Sequence, residues 1–149
     1  MASTTDRDGF IQAIGDLLAG WNLSRATGRT YGHLLLEPEP SSLDAIGDAL
    51  SLSKGSVSTS VRELVSWGLA RTLSQPGSRR LLVEATGGFE SLLAASHERA
   101  RSLVQILRSG EALAVEPRSQ QRLRNVTDLF EGYVDAGDRV LHHRRPRSR

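Results

Sequence analysis

Short hydroxyl and cationic side chains in the middle of the chain have the composition of a surface that binds DNA. The candidates between Ser53 and Trp67 are Lys54, Ser56, Ser58, Thr59, Ser60 and Arg62. Hydroxyl and cationic groups donate hydrogen bonds to phosphate oxygens and base edges. Arg62 is the first candidate for contact with guanine, because its planar guanidinium can donate two parallel hydrogen bonds. The alternative is that Arg62 pairs with a nearby acid.

The apolar residues of this stretch predict an amphipathic helix. They are Val57, Val61, Leu64 and Val65, which recur at the spacing of one helical face. Ser53 is a typical N-cap, and Gly68 is a typical C-terminal stop. Serine and threonine are poor helix formers, because their hydroxyls compete for backbone hydrogen bonds. A helix face built from them therefore indicates a binding surface.

The neighbouring segments predict a helix-turn-helix followed by a hairpin. Residues 41–50 have a serine cap and an apolar face, and the join that follows is as short as a helix-turn-helix requires. Two β-like segments, 69–73 and 79–85, flank a Pro-Gly turn. A hairpin after a recognition helix is the wing of a winged helix. Arg79 and Arg80 are placed there to contact phosphate or a minor groove.

The run from Leu43 to Val83 resembles the winged helix-turn-helix of the MarR family of transcription regulators. The phrase SKGSVSTSVRELVSWGLARTLSQPGSRR is most similar to the GbsR-like branch, in which a segment like Gly28-Arg29-Thr30-Tyr31-Gly32 typically precedes the helix-turn-helix. The resemblance covers roughly residues 8 to 110. It implies that the terminal helices form a dimer and that a small effector binds between them and the winged domain. The branch is linked to osmolyte control.

Positive charge is concentrated on the predicted recognition helix and wing. Residues 53–81 contain five cations and one acid, whereas residues 1–138 as a whole are net acidic. A basic stripe on an acidic body is typical of a protein that binds duplex DNA at specific sites. The alternative is a chance cluster on a solvated face. Residues 139–149 carry five more arginines.

The predicted fold is mostly α with a small β-hairpin: a winged helix-turn-helix with extra terminal helices that form a dimerisation region. The predicted segments are a flexible leader 1–7, an N-terminal dimerisation helix 8–23, the DNA-binding domain 24–86, C-terminal dimerisation helices 87–142 and a basic disordered tail 143–149. A two-fold dimer buries the apolar stripes of the terminal helices. It also presents two recognition helices to a pseudo-palindromic operator. The tail either adds affinity for phosphate or keeps the chain soluble.

Three aromatic residues are candidates for an effector site: Trp21, Tyr31 and Phe89. The resemblance implies a small effector, and an aromatic cage would suit a quaternary ammonium group. Ordinary core packing is the alternative explanation for these rings.

The residue inventory argues against an enzyme, a cofactor and a metal site. The chain has no cysteine, four scattered histidines, no glycine-rich phosphate loop and no plausible carboxylate pair. It also has no apolar run near 18 residues and no secretion signal, so a cytoplasmic protein without a membrane span is expected. The predicted function is that of a homodimeric, sequence-specific repressor of transcription on double-stranded DNA, with helix 53–67 in the major groove and wing 74–80 on the flanking backbone or minor groove. The alternative is a winged helix that only contacts other proteins.

Overall fold

The computed structural model describes residues 3–143, which form two compact units. The first unit extends to Phe89 and the second begins at Glu90. The elements of the first unit are α1 (Thr4–Ala19), α2 (Arg25–Leu36), β1 (Ser41–Ser42), α3 (Leu43–Leu50), α4 (Lys54–Ser66), β2 (Ala70–Ser74) and β3 (Leu81–Ala85). The second unit contains α5 (Glu90–Glu111) and α6 (Pro117–His143). The prediction of a mostly helical winged helix-turn-helix is confirmed.

The helix-turn-helix consists of α3 and α4, joined by a tight turn. Ser51 has a left-handed backbone (φ 55°, ψ 44°), and the Leu52 N–H donates to the Gly47 carbonyl oxygen at 3.0 Å. A Cβ atom on Gly47 would lie 3.0 Å from the Leu52 carbonyl oxygen. Glycine at this position therefore lets the turn fold back closely on α3.

The wing is a three-stranded antiparallel sheet in the order β1-β3-β2. Strands β2 and β3 pair with Arg71 opposite Glu84, and Gly77 in the connecting turn has a φ of +75°. The third strand, β1, pairs Ser41 with Val83 and was not predicted. A strand of two residues has no periodicity that a sequence pattern could reveal.

The core of the first unit includes the apolar faces of α3, α4 and the wing, together with buried residues of α1 and α2. Ile46, Val57, Leu64, Leu69 and Val83 are each no more than 1% exposed. One member of the predicted apolar stripe differs, because Val65 is 41% exposed.

Helix α1 starts earlier than predicted. It begins at Thr4, because Ser3 and Asp6 form a reciprocal capping box that satisfies its first backbone N–H groups. Residues 4–7 are therefore helical, and the prediction of a flexible leader is wrong for them. The first two residues of that leader lie outside the described part of the chain.

The predicted division between an N-terminal dimerisation helix and a separate DNA-binding domain is also different in the structure. Helix α1 packs on α2 within the first unit, where the backbone of Gly15 lies against Gly28. A Cβ atom on Gly28 would lie 2.7 Å from the Gly15 Cα atom. The glycines of α2 therefore allow close helix packing rather than a local break.

The second unit is an antiparallel pair of helices. His97 of α5 is 7% exposed and packs against Gly137 of α6. Its Nε2 atom lies 2.7 Å from Asp138 Oδ1. The hydrogen bond from His97 lowers the pKa of the Asp138 carboxyl below its ordinary value. The predicted basic tail lies outside the described residues, apart from the helical backbone of His143.

Candidate nucleic-acid interface

Helix α4 presents the predicted contact residues at three levels of exposure. Its first turn is capped by Ser53, whose hydroxyl oxygen accepts a hydrogen bond from the Ser56 backbone N–H at 3.1 Å. The exposed predicted residues are Lys54, Thr59 and Arg62, whereas Ser56 and Ser58 are half-buried. Because Lys54 opens the helix, its ammonium group adds to the positive potential of the helix N-terminus.

Ser60 does not belong to this exposed face. Its side chain is 1% exposed and lies among the buried residues of α4, with Val57, Val61 and Leu64. It cannot reach DNA while the helix keeps this orientation. We therefore remove Ser60 from the candidate contact residues.

The wing carries two exposed arginines beside the recognition helix. Arg79 and Arg80 lie in the segment between β2 and β3, where the Arg80 backbone N–H donates to the Ser78 hydroxyl at 3.1 Å. Arg62 and Val65 of α4 line a groove of about 320 Å³ together with Thr72 and Leu81 of the hairpin. The recognition helix and the wing therefore border one continuous surface.

Of the five cations in residues 53–81, one is held in an ion pair and four are not paired within residues 3–143. Arg71 pairs with Glu84 directly across the hairpin, so its charge is offset locally. Lys54, Arg62, Arg79 and Arg80 form no ion pair within residues 3–143. The alternative of a local acid partner for Arg62 is thus not seen there. We call these four residues the basic surface.

The single acid of α4, Glu63, points to a different side of the helix from Arg62. Glu63 Oε2 accepts a hydrogen bond from the Thr27 hydroxyl of α2 at 2.9 Å. Neither Thr27 nor this contact was predicted, because nothing in the local pattern links two residues that are 36 positions apart.

The segment Gly28-Arg29-Thr30-Tyr31-Gly32 connects α2 to its neighbours. Arg29 donates from Nη2 to the carbonyl oxygen of Leu50 at 3.0 Å, at the end of α3. Thr30 is fully buried, and its hydroxyl donates to the Ala26 carbonyl oxygen at 2.7 Å. The segment thus packs α2 against the end of α3 and contributes no side chain to the basic surface.

The three predicted effector residues lie together in the first unit. The ring of Phe89 is 5.1 Å from that of Trp21 and 6.3 Å from that of Tyr31, measured between centroids. Tyr31 is 5% exposed, while the other two rings are half-buried. The rings pack on one another in tilted contacts, as core aromatics do.

Residues 3–143 contain neither a cluster suited to a metal ion nor a helix suited to a membrane. No group of three or more histidine, cysteine, aspartate or glutamate side chains is arranged to hold a metal ion in this part of the chain. Within the same residues, no helix is both long and apolar enough to cross a membrane.

The chain is similar to known transcriptional regulators. No protein-family model matches it. The HTH-type transcriptional regulator MmpR5 of Mycobacterium tuberculosis is 30% identical over 139 residues, which are 87% of this chain and 81% of that protein. The fold of this chain is similar to that of a transcriptional regulator of known crystal structure. The TM-score is 0.61 and the sequence identity is 25%, and the match covers 93% of this chain and 97% of that one. Staphylococcus aureus MepR in complex with DNA is a distant match, with a TM-score of 0.45 and 20% identity over 85% of this chain and 91% of that one.

Proposed function

The chain belongs to the family of HTH-type transcriptional regulators represented by MmpR5, and we propose that it is a MarR-like repressor that binds a pseudo-palindromic operator as a homodimer. In this proposal it acts on cytoplasmic DNA and has no enzymatic activity. The Gly28–Gly32 segment supports a further assignment to the GbsR-like branch.

The observation that carries the proposal is the basic surface shared by α4 and the wing. The major groove of B-DNA admits an α-helix, so α4 can present Lys54, Thr59 and Arg62 to base edges and phosphates. Ser56 and Ser58 remain proposed contacts at the edge of the same face. Arg79 and Arg80 then lie where they can contact the flanking backbone or enter a minor groove.

The wing arginines provide a direct test of the proposed DNA contact. A preferred operator is first selected from a pool of randomised duplexes, and its affinity is then measured across salt concentrations. Replacing Arg79 and Arg80 together by alanine removes four arginines from the proposed homodimer. It should reduce the slope of log affinity against log salt by about 3.6 if all four contact phosphates, because each phosphate contact contributes about 0.9.

The matched control for this experiment is Arg71→Ala, which removes an arginine from the same hairpin. Arg71 is paired with Glu84, so its replacement should leave the salt slope close to that of the wild type. Failure of the wild-type chain to select or shift any duplex would refute the DNA proposal. It would favour the alternative, a winged helix that contacts only other proteins.

Exposed apolar side chains in both units support the proposed homodimer. In the first unit, Leu17 of α1 is 56% exposed. In the second unit, Ile106, Leu129 and Tyr133 are between 63% and 71% exposed. Apolar faces of this kind commonly meet across a two-fold axis.

We expect light scattering to give twice the chain mass of 16.2 kDa at micromolar concentration. Leu129→Glu should shift this mass towards the monomer, since it places a charge on an exposed apolar position of α6. A wild-type chain that remains monomeric would contradict the homodimer.

We also propose the cluster of Trp21, Tyr31 and Phe89 as a site for a small quaternary ammonium effector. A cation that enters between Trp21 and Phe89 must separate rings that are 5.1 Å apart, and this should change the emission of Trp21. The chain has two tryptophans, so Trp67→Phe leaves Trp21 as the single reporter. Titration with glycine betaine should then give a saturable change. A flat titration would identify these rings as core packing alone.

A further inference from the structure

A series of side-chain hydrogen bonds through Ser24, Thr27 and Glu63 joins the start of α2 to the recognition helix. Ser24 caps α2, and its hydroxyl oxygen accepts a hydrogen bond from the Thr27 backbone N–H at 3.1 Å. The Thr27 hydroxyl lies 2.8 Å from the Ser24 hydroxyl and donates to Glu63 Oε2 at 2.9 Å. A hydroxyl has a single proton, so Ser24 must donate to Thr27 if Thr27 donates to Glu63. The donors therefore run in one direction, from Ser24 to Thr27 to Glu63.

The contact between Thr27 and Glu63 lies at the N-terminus of α2. The N-terminus of a helix carries a partial positive charge, and a carboxylate beside it is stabilised. Hydrogen bonds to an ionised acceptor are also stronger than those between neutral groups. Thr27 is fully buried, which shields its contact from competition by water.

The contact fixes a property of α4 that DNA binding requires. Glu63 and Arg62 are adjacent, so they point in directions about 100° apart around the helix axis. When Glu63 is bound to Thr27, the rotation of α4 is set and Arg62 lies on the exposed side. The same contact holds the only acid of α4 away from the basic surface.

We infer that Thr27 and Glu63 are positioning residues that set the rotation of the recognition helix, an inference that rests on the proposed DNA-binding function. Positioning affects recognition of base edges more than attraction to phosphates, because base contacts require precise geometry whereas phosphate attraction tolerates displacement. Loss of the contact should thus reduce affinity for the operator while leaving affinity for unrelated DNA unchanged.

The test compares Thr27→Val with Thr30→Val in the full chain. Both variants remove a buried hydroxyl from α2, but the Thr30 hydroxyl donates within its own helix, to the Ala26 carbonyl oxygen. We expect Thr27→Val to bind the selected operator about tenfold more weakly, because displacement of α4 weakens base contacts that are each worth about tenfold or more in affinity. Its affinity for a random duplex should be unchanged, and Thr30→Val should match the wild type on both. Thr27→Ser should restore operator binding.

Glu63→Ala tests the same contact from the half-exposed side, where substitution leaves the core intact. It should show the same loss on the operator as Thr27→Val. Equal losses on operator and random DNA, or equal losses for Thr27→Val and Thr30→Val, would overturn the inference while the DNA proposal stands. A wild-type chain that binds no duplex would overturn the proposed function, and the inference with it.

Discussion

Arg62→Ala is expected to weaken operator binding by about 1–3 kcal/mol for each half-site and to relax the preference at one base pair of each half-site. The expected reason is the loss of two parallel hydrogen bonds from the guanidinium to a guanine in the major groove. Arg62 is exposed on α4 and forms no ion pair within residues 3–143, so its replacement leaves no buried acid unpaired in that part of the chain. The measurement is the affinity of the wild type and the variant for the selected operator and for its single-base substitutions.

Arg62→Lys is the matched control, because it keeps the charge and removes the planar fork. If Arg62 contacts a base, the lysine variant should lose the preference at that base pair nearly as fully as alanine does. It should also retain the salt slope of the wild type. A uniform loss across unrelated sequences, restored by lysine, would instead assign Arg62 to a phosphate.

Gly28→Ala is expected to lower the free energy of unfolding by about 1–3 kcal/mol, which is the typical cost of overpacking. The added Cβ atom would lie 2.7 Å from the Gly15 Cα atom and 3.1 Å from the Ile14 carbonyl oxygen. Both neighbours are backbone atoms, so α1 and α2 would have to move apart. This cost opposes the gain of about 1 kcal/mol that alanine normally gives over glycine inside a helix.

Gly9→Ala provides a control of opposite sign in the same helix pair. Gly9 lies inside α1, and a Cβ atom there would meet nothing within 4 Å. The variant should therefore be more stable than the wild type by about 0.5–1 kcal/mol. Urea unfolding at one fixed chain concentration measures both variants, since self-association would make stability concentration-dependent. If both variants shift the midpoint in the same direction, the close approach of α1 and α2 is not what constrains Gly28.

Most helices and the hairpin could be predicted because their signals are local. Ser53 and the serine cap of residues 41–50 predict the starts of α4 and α3, and the hydroxyls of Ser53 and Ser42 each accept a backbone hydrogen bond there. The Pro-Gly turn and the alternation beside it were sufficient to predict the two long strands of the wing. The apolar stripe predicts too late a start for α1, because its capping box has aspartate at Asp6 where the usual capping-box signal has glutamate or glutamine.

The residue types of the candidate site could be predicted from the sequence, but the side of α4 that is exposed could be predicted only in part. The stripe of Val57, Val61, Leu64 and Val65 defined one face of α4, yet the buried face in the structure includes Ser60 in place of Val65. A difference of this size corresponds to a small rotation of the helix. Side-chain types alone do not fix that rotation, because a small serine can be buried and a valine can be exposed.

The elements, their order and the type of surface follow from local sequence, since caps, turns and apolar periods act over a few residues. Three features depend on the folded chain: the side of α4 that faces outward, the arginines that stay unpaired among residues 3–143, and the position of Glu63. Those outcomes depend on contacts between distant residues: Thr27 with Glu63, 36 positions apart, and Arg71 with Glu84 across the hairpin. Such contacts form only when the chain is folded, and so no local pattern encodes them.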